Sequence, residues 1–459
     1  MYNNHNLYTK LRAEYPEFIY SGYNITEFDD SLKFEFHFII PGLSEFKPCW
    51  SLKKITSFDM AADDKKLNEL VFSLGMVELV SYWKTTCSPD VKINCRKLSN
   101  EQIGWWKKLY KKGLGEFFYI NKIKAAADFM DIISLGDYFY VPEKDAGNNE
   151  NENNPKILIP VGGGKDSAVT LELLKNHGER LCYMINPGRA SLDTVSAAGV
   201  PVEKTIIARR VLDENMLGLN KRGFLNGHTP FSAVVAFSAV IAAYIHKIKY
   251  VALSNESSAS EPTVLNSEVN HQYSKSLEFE SDFIDYEARN IASGVRYFSL
   301  LRPLTELGIA KIFSKPEKYH AVFKSCNIGS KKDIWCANCP KCLFVYIILS
   351  PFLPEDKLIN IFGKNMLNDL TMTPFFEQLT GVRPEKPFEC VGSRAEVNAA
   401  LQELLRQYGK KNAKMPELVR YYSGLNIKNS YNFSEMCNYY DTNNHLPEQF
   451  IQAVKKELK

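Results

Sequence analysis

Six consecutive residues, Gly162-Gly163-Gly164-Lys165-Asp166-Ser167, carry the clearest chemistry in the chain. Adjacent glycines let backbone N–H groups approach an anion, because no Cβ intervenes and positive φ is open to them. A helix starting near Ser167 would add its positive dipole end and unpaired N–H groups. Lys165 supplies charge, Asp166 can hold a metal or orient the loop, and Ser167 can donate a hydroxyl. The spacing is not that of a Walker A loop, since Ser167 stands where the second glycine is required. The same residue rules out the GxGxxG dinucleotide pattern. Binding of a phosphate chain is therefore the chemistry expected here.

A second constellation is Cys326, Cys336, Cys339 and Cys342, spaced C-x9-C-x2-C-x2-C. Four thiolates suit tetrahedral zinc, and two-residue gaps let successive ligands wrap one ion. An iron–sulfur cluster accepts the same ligand count, and free core cysteines are the plain alternative. A third feature is Glu389-Cys390, in a proline-rich approach to Gly392 just before a helix. A thiol beside a helix N-terminus can have a lowered pKa, although a buried cysteine in a turn would look the same. Glu116 follows Gly113 and Gly115, which predict a helix end and tight turn at a site edge. His228, with Asn226, precedes a buried helix and can face the same cleft.

These residues need elements to hold them. Ile157–Val161 is an apolar run, Ala168–Leu174 has helical spacing, and Leu181–Ile185 is apolar again, so Lys156–Asn186 reads as one βαβ unit closed by Asn186. Val202–Ile207 reads as another strand, Phe224–Lys247 contains a buried helix from near Pro230, and Tyr250–Leu253 is a short strand. Ligands of doubly wound sheets sit outside the carboxyl ends of strands, which places Asn186, Asn255 and Glu256 at the nucleotide or metal region. Phe34, Phe36, Phe38 and Ile40 mark a strand on which His37 takes the outward alternation. Leu70–Lys84 and Glu101–Asn121 are helical. The second carries aromatics between lysines, which could stack on nucleic acid but fits an amphipathic helix with lysine stems on its wet face better. Arg394–Tyr408 is a helix, with Ser393 and Glu396 in capping-box positions.

The 459 residues are 45% hydrophobic and 24% charged, ordinary globular values that suggest two or three domains. A net charge of +3 disfavours a nucleic-acid or membrane partner. No apolar stretch approaches the roughly 18 residues of a membrane span. Ten cysteines without a secretion signal predict a reducing, cytoplasmic location. The division expected is an N-terminal α+β region at 1–142, a polar linker at 143–155, an α/β doubly wound parallel-sheet region at 156–353, and a mainly helical region at 354–459.

The loop GGGKDS resembles the SGGKDS-type loop of the PP-loop (N-type) ATP pyrophosphatases, with Gly162 where that family usually has serine. A four-cysteine zinc site after such a domain is similar to that of the 7-cyano-7-deazaguanine synthases. Those enzymes are much shorter. The ordered phrases SLGMVELVSYWK, WWKKLYKKGLGEFFYIN, GGGKDS, the four cysteines and KPFECVG instead resemble the UDP-N-acetyl-α-muramoyl-L-alanyl-L-glutamate epimerase family, from about Phe34 to about Leu404. That resemblance implies ATP and Mg²⁺, adenylation of the substrate carboxylate at Gly162–Ser167 with Asn186 and Asn255 nearby, and inversion of the terminal L-glutamate. It implies a UDP-muramoyl dipeptide partner, with the uridine diphosphate expected on the N-terminal region. Candidates for the acid and base at Cα are Cys390, Glu389, Glu116 and His228.

Overall fold

The computed structural model describes residues 4–55, 58, 64–142, 154–425, 427 and 430–458. Of the linker placed at 143–155, residues 143–153 lie outside the described residues.

Eleven strands form one mixed, mostly parallel sheet: β1 Glu17–Glu27, β2 Ser31–Ile40, β3 Ser44–Phe46, β4 Cys49–Lys53, β5 Asp90–Ile93, β6 Asp131–Ser134, β7 Lys156–Pro160, β8 Glu179–Ile185, β9 Thr205–Val211, β10 Tyr250–Leu253 and β11 Arg296–Ser299. The order is β11-β10-β7-β8-β9-β4-β2-β1-β5-β6, with β3 beside β2. The first five strands of that order run parallel. The seam with the N-terminal strands is the antiparallel pair β4–β9, where Trp50 opposes Arg210. Residues 1–142 and 156–353 thus share a single sheet.

The parallel half is covered on both faces, as its nearly continuous apolar strands require. Leu158, Leu181, Ile206 and Val251 pack into one core with the helices Lys65–Trp83 and Phe231–Ile245. Ile157, Ile159, Cys182 and Ala252 face the other core, which holds the helices Lys165–Leu173, Glu306–Phe313, Pro340–Leu349 and Arg394–Lys411. The region from 354 is helical, as expected, and belongs to that second core. Ser393 and Glu396 form the expected capping box. The strand expected at Val202–Ile207 begins later: Val202–Lys204 is a 3₁₀ turn after Pro201, and β9 continues to Val211 because it must reach β4.

The lysine-rich helical segment breaks at the predicted glycines into Asn100–Gly113 and Gly115–Ile120. Its Trp106, Tyr110 and Phe117 are fully buried. Lys108 and Lys112 pair with Glu278, across the groove to the helix Leu277–Asn290. These three rings are core and cannot stack on bases. Lys84, Glu78 and Arg210 complete the join between the two halves. Arg210 donates to both oxygens of Glu78, which is fully buried and also accepts from Trp50 Nε1 at 2.8 Å. His37 lies on the outward face of β2 against Glu45.

Candidate active site

The glycine run leaves the carboxyl end of β7 and turns at Gly163, where φ is +84°. A Cβ there would lie 2.7 Å from the Ser191 nitrogen and 2.8 Å from the Ala190 carbonyl carbon, so only glycine fits. Gly162 by contrast faces open space. Gly164 is the extended N-cap of the helix Lys165–Leu173, which therefore starts two residues before the expected start near Ser167. Asp166 and Ser167 lie in its first turn, and Ser167 donates back to the Gly164 carbonyl at 3.1 Å.

A cleft of about 580 Å³ opens over this loop, along the carboxyl ends of the parallel strands. Gly162, Gly164, Asp166, Ser167, Asn186 and Asn255 all line it. Asn186 braces two strand ends, accepting from the Arg210 N–H at 3.0 Å and donating to its carbonyl at 2.8 Å. Asn255 donates to Ser299 Oγ at 3.0 Å, tying β10 to β11. Lys165 is placed differently. It is 4% exposed and pinned between Asp166 and Glu306, behind the loop rather than on the cleft wall. The cations that do line the cleft are Lys275, Lys324 and Lys341. Burial, together with Asp166, Glu256 and Glu396, pushes the Glu306 carboxyl up to about 8 against the pull of Lys165.

At the other end of the same cleft stand Cys390, His271 and His228. Cys390 Sγ is 3.9 Å from His271 Nε2. His271 Nδ1 is hydrogen-bonded to Glu116 Oε2, and His228 Nδ1 lies 3.3 Å from the same oxygen. The two imidazoles pack with centroids 4.6 Å apart. Burial opposes ionisation of the Cys390 thiol, yet the Lys275 ammonium, the His271 hydrogen bond and Lys341 outweigh it and bring the pKa down to about 6. Burial likewise disfavours a charged His271, but its bonds to Cys390 and Glu116 push it up to about 9. Both shifts favour a thiolate–imidazolium pair. Burial and the neighbouring His271 charge lower His228 to about 4, so it is neutral.

The N-terminal half builds this end. Glu116 comes from the helix Gly115–Ile120, Lys84 Nζ donates to the Gly227 carbonyl at 2.6 Å, and Asn121 donates to the Asn226 carbonyl at 3.2 Å. Glu389 does not line the cleft. Its carboxylate accepts from Asn327 Nδ2 at 2.5 Å.

Cys326, Cys336, Cys339 and Cys342 come together with all four sulfurs within 4.8 Å of one another. The Cys326–Cys339, Cys336–Cys342 and Cys339–Cys342 Sγ atoms lie 3.9, 3.8 and 3.4 Å apart. A tetrahedron with metal–sulfur bonds of about 2.3 Å has edges of about 3.8 Å, so the set fits one ion held by four thiolates. Cysteines that each bind a different iron of a four-iron cluster would be spread farther. This knuckle touches both ends of the cleft. Lys324 N donates to the Gly163 carbonyl at 2.8 Å, Asp333 accepts from Ala190 N at 3.0 Å, and Lys341 Nζ donates to the Cys390 carbonyl.

Sequence reasoning missed His271, Lys275 and Lys341. Lys341 sits inside the cysteine run, where only the thiols drew notice. His271 and Lys275 lie in VNHQYSK, which has no spacing signal of its own.

Fold and cleft together define an α/β protein with a glycine turn and a thiol–imidazole pair in one pocket. Two family models match the chain, the MurL N-terminal domain over residues 9–300 and the MurL C-terminal domain over residues 322–424. Curated relatives include a protein of Xanthomonas oryzae pv. oryzae, 35% identical over 76% of this chain and 77% of its own length. Others come from a Micromonospora species, 34% identical over 74% and 76%, and Salinispora tropica, 34% identical over 76% and 75%. Each is named UDP-N-acetyl-alpha-D-muramoyl-L-alanyl-L-glutamate epimerase. The chain belongs to the MurL family and is an isomerase of the epimerase class. No solved structure matches it. No helix among the described residues is long and apolar enough to cross a membrane.

Proposed function

We propose that the chain inverts the terminal L-glutamate of UDP-N-acetylmuramoyl-L-alanyl-L-glutamate, in peptidoglycan synthesis, by an ATP- and Mg²⁺-dependent adenylation of the carboxylate next to the inverted carbon. The observation that carries this reading is the sharing of one cleft by the glycine turn and the Cys390–His271–Glu116 relay. The relatives' names supply the substrate.

The chemistry needs both ends. Removing the Cα proton beside a carboxylate would place a second negative charge next to the first. Adenylation neutralises that carboxylate and makes the carbon acid far stronger, after which a positioned acid–base pair can move the proton. The glycine turn and the helix start at Lys165 receive the pyrophosphate, and Asp166 is the carboxylate offered to Mg²⁺. Lys165 acts from behind, holding Asp166 and Glu306 in place. Lys275, on the cleft wall, faces the developing oxyanion. Glu116 is a positioning residue that fixes the His271 ring. The four cysteines would hold a structural zinc, whose bonds would lock the knuckle that carries Lys324 and Lys341.

Pyrophosphate–ATP exchange tests the reading. Labelled pyrophosphate entering ATP only when UDP-N-acetylmuramoyl-L-alanyl-L-glutamate and Mg²⁺ are present supports it. ADP formation, or no exchange with this substrate, refutes it.

A further inference from the structure

We propose that Cys390 is the nucleophile that receives the activated glutamyl group from AMP, so that inversion takes place in a thioester on the enzyme. The inference rests on the adenylation reading above and goes one step past it.

The geometry is that of an activated nucleophile: a thiol, an imidazole within reach of it, and a carboxylate that orients the imidazole. Sγ lies 3.9 Å from His271 Nε2, and the opposite ring nitrogen is bonded to Glu116. The thiol opens into the cleft that also contains Gly162 and Asp166, so a carboxylate activated there need not leave the pocket to meet it. Lys275 lines the same cleft, and its charge acts on both Cys390 and Asp166. A proton-transfer role for the thiolate is the competing use. A thiolate of low basicity is a poor base toward a carbon acid but stays ionised and nucleophilic at neutral pH.

The steps balance. The Cys390 thiolate adds to the acyl-adenylate carbonyl, a C–S bond forms, the C–O bond to phosphate breaks, and AMP leaves with the electron pair. Sulfur is then uncharged, so His271 loses the anion that held its proton and releases that proton to solvent. Its Nε2 becomes a free base beside the sulfur, with the substrate Cα two bonds from that sulfur. The thioester keeps the carboxyl charge neutralised while the proton leaves. The Cα proton passes to His271 Nε2 and recharges the ring, a proton from solvent returns to the other face of Cα, and water then adds to the carbonyl. The C–S bond breaks, and D-glutamyl carboxylate and thiolate are released with two protons that pass to solvent.

The test is acid quenching, from milliseconds to seconds, of the full-length protein mixed with ATP, Mg²⁺ and substrate labelled in its glutamate. We expect acid-stable label on the peptide containing Cys390, released by neutral hydroxylamine, and none in C390A, in which D-glutamate formation falls about a thousandfold. AMP and D-glutamate formed without label on Cys390 at any quench time would overturn the thioester and leave adenylation standing. Label on another residue, or retained in C390A, would also overturn it. Absence of pyrophosphate–ATP exchange in the wild-type protein would remove the adenylation step and the thioester with it.

Discussion

The thiolate–imidazolium pair can be tested without substrate, by alkylating Cys390 across pH. Its pKa of about 6 leaves about nine-tenths of the thiol ionised at pH 7, against about one-hundredth for an ordinary thiol at 9.0. The ionised fraction at pH 7 should therefore exceed that of an ordinary cysteine by about ninetyfold, and the alkylation rate at equal access by a smaller factor, because thiolate nucleophilicity falls with pKa. The sign follows from the charges. The thiolate is the stabilised form, so reactivity is present above pH 6 and is lost as pH falls through it. The imidazolium is lost as pH rises through about 9, so the ion pair spans the window between these values. Lys275 is the largest favourable influence on the thiolate, ahead of His271 and Lys341. K275M should raise the midpoint most, and the first unit of that rise lowers the rate at pH 6 about fivefold. The assay is mass-spectrometric counting of iodoacetamide on the Cys390 peptide between pH 5 and 10. A single wild-type midpoint near 9, unchanged in K275M and H271A, would refute the argument.

Four further outcomes follow. D166A should abolish pyrophosphate–ATP exchange while leaving the circular dichroism spectrum unchanged; full exchange would discard the glycine turn as the phosphate site. G163A must strain a φ of +84° and push into Ser191 N and Ala190 C, costing at least about 1–2 kcal/mol in urea unfolding; an unchanged midpoint would contradict the close approach. E78Q leaves Arg210 without its buried carboxylate and should cost about 3–5 kcal/mol, whereas a change near zero would mean the two halves of the sheet are not joined through this pair. Metal analysis of protein purified without chelator should give about one zinc per chain, bound by four thiolates. Protein free of zinc and iron would remove that assignment.

Local signals were readable in the sequence because their physics is local. The β7 strand, the glycine turn and the following helix are set by neighbours within a few residues, and the capping box at Ser393 declares itself in four. The cysteine knuckle was readable from spacing alone. The acid–base end was only half readable. Glu116, His228 and Cys390 were singled out, but the residue that joins them, His271, lies 155 positions from Glu116 and 119 from Cys390. Nothing in its own neighbourhood marks it, and only the folded sheet brings these three stretches together. Lys165 illustrates the reverse. Its type and position suggest a phosphate ligand, yet Glu306, distant in sequence, draws it behind the loop. Glu389 was coupled to Cys390 by adjacency, and the turn sends it to Asn327 instead. The single sheet was hidden for a similar reason, since the β4–β9 pairing joins strands more than 150 residues apart.

The account stands or falls on one incubation of the protein with UDP-N-acetylmuramoyl-L-alanyl-L-glutamate, ATP and Mg²⁺ in deuterium oxide. Products are read by chiral analysis of the glutamate, its isotopic mass and nucleotide chromatography. It predicts D-glutamate carrying deuterium at Cα, formed together with AMP and pyrophosphate. L-Glutamate recovered without deuterium, or D-glutamate formed without AMP, would contradict it.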